Sequence, residues 1–146
     1  DKKGNILTIP VSKIKFGYRH SPLDKNLIFL SASFRGQKKE KKNIQKLINN
    51  LKNKKELAQP TRIKTGGSTF KNPINQTDLK VWELIKESVP LSKKFGDAKI
   101  SSKHYNFFVN SNNASFSDMK NLIDFVKESV KLKTGIKLET EIEIIK

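Results

Sequence analysis

The run Gly66-Gly67-Ser68-Thr69-Phe70-Lys71-Asn72-Pro73 sets the strongest limit on what this chain can become. Adjacent glycines are poor helix residues and admit backbone conformations closed to other side chains. Pro73 breaks a helix and pushes Asn72 towards extended backbone. The apolar segments on either side must therefore be separate elements, joined through extended or turning chain. The same run sets a hydroxyl, a cation and an amide beside the least shielded backbone. It suits either a turn that caps a strand or a loop that contacts a rigid polar ligand. A phosphate loop is excluded, because that motif needs a glycine, four intervening residues and then Gly-Lys-Ser/Thr opening a helix. Here Ser68 follows the glycines directly.

The flanks read as interleaved helices and strands. Asn5–Pro10 alternates and predicts a strand; Asn26–Phe34 predicts a buried one. Lys38–Leu57 predicts a helix with Ile44, Leu47, Ile48 and Leu51 on one stripe and lysines on the solvated side. Gln59-Pro60 ends it. Thr77 is placed to cap a second helix carrying Val81, Trp82, Leu84 and Ile85. Asp97–Ser101 and Asn106–Asn110 predict short strands. Ser115 or Ser117 caps a third helix with Met119, Leu122, Ile123, Val126 and Val130 in register, and Gly135 stops it. Lys137–Ile145 alternates strictly, with Leu138, Thr140, Ile142 and Ile144 opposite Glu139, Glu141 and Glu143. The class is α+β.

No apolar run approaches the roughly 20 residues of a membrane span, and the N-terminal residues lack the apolar segment of a signal peptide. With no cysteine and two widely spaced histidines, neither a disulfide nor a metal site is expected, and a cytoplasmic location is. A net charge of +16 raises a second reading, a basic nucleic-acid or anion-binding module. Against it, the lysines are spread along the whole chain and only Arg19, Arg35 and Arg62 are arginines; bidentate readers of phosphate and guanine are usually Arg.

Three polar features stand outside the packing pattern: Arg19 in Gly17-Tyr18-Arg19-His20-Ser21, Ser68 in the glycine run, and Glu141 in Leu138-Glu139-Thr140-Glu141. In this order they resemble the C-terminal part of the UDP-N-acetylenolpyruvoylglucosamine reductase family. Phe16–Ser21 resembles its Tyr-Arg-x-Ser segment, and Thr65–Pro73 its most specific signature. Trp82-Glu83-Leu84-Ile85, Gly96–Ser101 and His104–Asn110 follow in the family's order, and Leu138–Glu141 resembles its closing Leu-Glu-x-Glu.

The resemblance implies an FAD-dependent reductase of peptidoglycan precursor synthesis. In it, NADPH supplies electrons through the flavin to the enolpyruvyl group of a UDP-sugar. Ser68 then corresponds to the proton donor, while Arg19 and Glu141 lie against the substrate carboxylate. Asn72 and His104 correspond to substrate contacts, and Gly67 and Ser68 border the flavin. Hydride addition to an unsaturated carboxylate builds negative charge there, which preorganised donors must meet. Arg19 offers a planar fork that lysine would not copy.

The family holds its flavin mainly through an N-terminal, glycine-rich stretch that has no counterpart here. Residues 1–58 accordingly read as the end of an FAD-binding domain and 59–146 as a small substrate-binding domain. The chain reads as a piece of a longer protein whose N-terminal half is its partner, and as inactive alone. A core is expected within residues 59–138, with residues 5–57 packing poorly by themselves. No tyrosine occurs between Gly36 and Gln59, which places the resemblance with the shorter subclass.

Overall fold

The computed structural model describes residues 1–145. It comprises two compact units, Asp1–Lys39 and a second from Glu40 onward.

In the first unit the regular structure is one 3-10 turn, Val11–Lys13, and a tight turn at Gly17–His20. That turn closes on itself: the Gly17 N–H donates to the His20 carbonyl (2.9 Å) and the His20 N–H to the Gly17 carbonyl (3.2 Å). The strands expected at Asn5–Pro10 and Asn26–Phe34 do not form. An extended segment becomes a strand only when a neighbour takes up its backbone groups and covers a face. Among the described residues no segment pairs with either, and Phe34 is 93% exposed.

The second unit opens with helix α1 (Lys41–Ala58), none of whose residues is buried. Its stripe of Ile44, Leu47, Ile48 and Leu51 forms as the periodicity predicts but stays exposed. Then come β1 (Lys64–Ser68), α2 (Val81–Ser88), β2 (Lys94–Phe95), β3 (Ala98–Ile100), β4 (Phe107–Asn110) and α3 (Phe116–Thr134). The strands form one antiparallel sheet in the order β1-β4-β3-β2. Phe107, Phe108 and Val109 are all buried. Since successive strand residues face opposite ways, both faces of β4 are covered. The core runs from Phe70 to Leu138, as expected, with Leu84 and Ile85 of α2 against Leu122, Val126 and Val130 of α3. Phe70 meets Phe108 edge to face, with ring centroids 5.7 Å apart. No helix among the described residues is long and apolar enough to cross a membrane.

Helix α3 begins in a capping box. The Ser115 hydroxyl accepts from the Asp118 N–H (3.1 Å), and the Asp118 carboxylate accepts from the Ser115 N–H (2.9 Å). Donation to the carboxylate by the Ser115 backbone amide, and next by the Ser115 hydroxyl (2.8 Å), holds the Asp118 carboxyl below its usual range. The helix stops at Gly135, which is left-handed (φ 75°). The second helix is capped otherwise than expected. Thr77 accepts from the Leu79 N–H in the preceding turn, and the free first-turn amide of Val81 goes to the Asn72 side-chain oxygen (3.0 Å). A residue nine positions upstream can do this because Pro73 folds the intervening loop back, its carbonyl accepting from the Gln76 and Thr77 amides.

The β2–β3 hairpin turns through Gly96, whose φ is 51°. A Cβ built there would lie 2.6 Å from Asp118 Oδ2, a carboxylate already committed to the α3 cap. Gly96→Ala is therefore expected to cost about 2–3 kcal/mol, combining left-handed strain with a displaced cap. Gly135→Ala, with open space around the new methyl, should cost only the strain, about 1 kcal/mol. Urea midpoints of the two variants check the difference.

Candidate active site

The glycine run is neither a simple cap nor a free loop. It is strand β1, and it carries a bulge. Thr65 pairs with Val109 and Ser68 with Phe107, so Gly66 and Gly67 together oppose Phe108 alone. Gly67 takes the positive φ, 87°, that such an irregularity favours. The Thr65 hydroxyl fills the gap, donating to the Phe108 carbonyl (2.8 Å) and accepting from the Gly67 N–H (3.2 Å). Gly66 lies under Ile142, where a Cβ would stand 3.3 Å from the Ile142 side chain. Over Gly67 there is nothing within 4 Å.

Beyond Ser68 the chain is clamped on both sides. The Thr69 N–H donates to the Asn106 carbonyl, and the Thr69 carbonyl accepts from the Glu141 N–H, both at 2.8 Å. The Lys71 N–H donates to the Glu139 carbonyl (2.9 Å), and the two side chains make an exposed ion pair at 3.2 Å. Residues 69–71 and 139–141 are thus a short antiparallel pairing centred on Phe70 and Thr140. The long terminal strand expected at Lys137–Ile145 shrinks to this one bridge, because the chain bends at Glu141 and Ile142. The alternation survives in burial only up to Thr140: Leu138 is buried, Glu139 exposed and Thr140 half-buried, but Glu141 and Ile142 are both half-buried and Glu143 and Ile144 both exposed.

Two side-chain amides hold this pairing, and the sequence reading missed both. Asn106, buried, copies a strand neighbour for Phe70: its Oδ1 accepts from the Phe70 N–H (2.9 Å) and its Nδ2 donates to the Phe70 carbonyl (2.8 Å). Gln76 does the same for Lys137, at 3.0 and 2.9 Å. A lone Asn inside the apolar run Tyr105–Val109 was the available signal. An amide carries one donor edge and one acceptor edge, as a peptide does.

His104 lies in the turn before β4. Its Nδ1 accepts from the Asn106 N–H (3.2 Å), and its ring stands 4.9 Å from the Phe107 ring, centroid to centroid. Accepting at Nδ1 selects the neutral tautomer with the proton on Nε2. Desolvation by burial lowers its pKa from the usual imidazole value.

Ser68, Glu141 and His104 are thereby joined through very few bonds: Ser68 pairs with Phe107, Thr69 with Glu141, and Asn106 with His104. Asn72 stands four residues on from Ser68, at the head of α2. Arg19 belongs to the first unit. It occupies the left-handed region (φ 53°) in the Gly17–His20 turn, its guanidinium 5.3 Å from the Tyr18 ring centroid. Such strain in a non-glycine residue costs about 1–2 kcal/mol and marks a candidate functional position.

The family model described as "UDP-N-acetylenolpyruvoylglucosamine reductase, C-terminal domain" matches residues 59–145. The chain is 64% identical over 146 residues to the UDP-N-acetylenolpyruvoylglucosamine reductase of Pelagibacter ubique (strain HTCC1062), a match covering all of this chain and 48% of that protein. It is 41% identical over 145 residues to the protein of the same name from Rhodopseudomonas palustris (strain BisB5), covering 99% of this chain and 46% of that one. Among solved structures, the UDP-N-acetylenolpyruvylglucosamine reductase of Thermus caldophilus superposes with a TM-score of 0.71 at 31% identity, covering 90% of this chain and 46% of that one. The chain spans about half the length of the curated relatives it matches.

Proposed function

The chain belongs to the UDP-N-acetylenolpyruvoylglucosamine reductase family, and from that premise we propose that it is the substrate-side part of a cytoplasmic, NADPH-using flavoenzyme. Its substrate is UDP-N-acetylglucosamine enolpyruvate, and its product, UDP-N-acetylmuramate, feeds peptidoglycan synthesis. Residues 1–58 belong to the end of the FAD-binding domain and 59–146 to the substrate domain. Most of the flavin surface comes from the half of the enzyme that this chain does not span.

One hydride and one proton add across the enolpyruvyl double bond. FAD, when bound and reduced by NADPH, would supply the hydride. The rest is work for this chain's side chains. Arg19 pairs its planar fork with the substrate carboxylate, and Glu141 lies against the same group. Ser68 delivers the proton to the carbon beside the one that takes the hydride. A serine hydroxyl is a weak acid, so it acts only if held at close range to a carbanion-like centre. Asn72 and His104 contact the substrate. His104, neutral and protonated on Nε2, contributes a donor. The open strip above Gly67 fits a flat ring, and Gly67 and Ser68 are the residues here that would border the flavin.

The observation that carries this reading is the clamp on Thr69, which holds Ser68 beside Glu141 although 73 positions separate them. The test joins residues 1–146 to the remaining half of a full-length relative and loads FAD. Without the UDP-sugar, NADPH oxidation is expected to stop once the bound flavin is reduced; sustained turnover is expected only when the UDP-sugar is present. Tight DNA binding that collapses with salt, with no response to the UDP-sugar, would replace this reading with that of a basic nucleic-acid module.

A further inference from the structure

We propose that Thr65 is the positioning residue for Ser68, because its hydroxyl holds open the two-glycine bulge that sets the direction of the Ser68 side chain. The inference rests on the reading of Ser68 as proton donor.

In a regular antiparallel pairing that begins at Thr65 and Val109, the residue opposite Phe107 would be Gly67. The observed partner is Ser68. A shift of one residue turns a strand side chain to the other face. The extra residue therefore puts Ser68 on the face it shares with Thr65; a regular ladder would put it on the opposite one. Bulges carry a penalty, since they leave a ladder carbonyl and an amide without strand partners. Here the Thr65 hydroxyl bonds a group on each side of the bulge, donating to the Phe108 carbonyl at 2.8 Å and accepting from the Gly67 N–H at 3.2 Å. A group that donates and accepts at one atom is required, so Ser or Thr serves, while valine, of nearly the same shape, does not. Thr65 is half-buried, which weakens competition from water. The glycines permit the bulge; Thr65 selects it.

The experiment uses the full-length, FAD-loaded fusion described above, with Thr65→Val and Thr65→Ser, each with Ser68 intact and as Ser68→Ala. With Ser68 intact, Thr65→Val should slow reoxidation of the flavin by the UDP-sugar about 10- to 100-fold, the scale of a small misplacement of a reacting group. Its reduction by NADPH should not change, and Thr65→Ser should recover most of the loss. In the Ser68→Ala background Thr65→Val should add nothing, since the hydroxyl it positions is gone. Independently of turnover, hydrogen exchange at the Gly67 amide should accelerate in Thr65→Val and not in Thr65→Ser. Equal slowing of both half-reactions, or an undiminished effect in the Ser68→Ala background, would reduce Thr65 to a stability residue and overturn the proposal; so would unchanged exchange at Gly67. If Ser68→Ala itself leaves reoxidation intact, the proton-donor reading falls. Gly67 exchange then still decides whether Thr65 holds the bulge.

Discussion

Ser68→Ala, in the full-length fusion, is expected to slow reoxidation of the flavin by the UDP-sugar roughly 10²–10⁴-fold, the range for losing a positioned general acid. Reduction of the flavin by NADPH should proceed at the parental rate. The separation follows from where Ser68 sits. It lies in β1, backed by Phe107 and followed by a residue whose N–H and carbonyl are both bonded. Removing one oxygen from a half-buried position on so braced a strand should leave the fold untouched. Substrate affinity should also change little, because proton delivery matters in the transition state rather than in the bound ground state. Stopped-flow absorbance of the flavin in the two half-reactions makes the measurement. Parental reoxidation by the alanine variant would remove Ser68 from the chemistry.

Asn106→Leu should be the most destabilising single substitution near the site, by about 2–5 kcal/mol. It keeps the branched outline of the side chain and leaves two buried groups unpaired, each worth about 1–3 kcal/mol. Those groups are the N–H and carbonyl of Phe70, a residue 1% exposed. Water cannot reach them as substitutes. Asn106→Asp makes the argument sharper. The carboxylate still accepts from the Phe70 N–H but turns a second oxygen towards the Phe70 carbonyl. In its acid form it donates there and restores the pair. The folded state thus favours the protonated acid, its pKa is raised, and the stability that protonation provides is present at low pH and lost as pH rises through that value. Urea denaturation from pH 4 to pH 7 should show Asn106→Asp weakening as pH rises, with Asn106→Leu uniformly weak. A leucine variant within 0.5 kcal/mol of the parent, a margin typical of surface changes, would show that the clamp is dispensable.

Much of the second unit could be read from residues alone. Ser115 and Gly135 bracket α3 because capping is local chemistry, written within a few positions of the helix end. Phe107–Asn110 and Ala98–Ile100 were legible because their apolar content exceeds what a loop can hide. What failed was non-local. Asn26–Phe34 has the composition of a buried strand, yet composition cannot say whether a partner is present. Thr77 stood in the conventional capping position, and Asn72 reached the helix instead through a fold of the loop that no spacing rule encodes. The tail from Lys137 alternates faithfully, but among the described residues its backbone bonds end at Glu141. At the site, Ser68, Glu141 and His104 came from family resemblance, not from pattern. Their connection through Thr69 and Asn106 needed coordinates, because backbone hydrogen bonds leave no mark on side-chain identity. The bulge was invisible for a related reason: two glycines announce freedom without saying how it is used.

The contact between Gly96 and Asp118 also bears on how this sequence can change over generations. A methyl at position 96 finds room only if the Asp118 carboxylate turns away from its cap. Loss of that carboxylate first would cost α3 its reciprocal cap but would open the space. Substitutions at the two sites are therefore ordered. Lineages that carry a side chain at 96 should more often have shortened or removed the one at 118 beforehand, since the reverse path passes through an intermediate that bears the backbone strain and loses the cap together. A two-residue hairpin turn and a helix-capping carboxylate 22 positions away are in this sense a single inherited character.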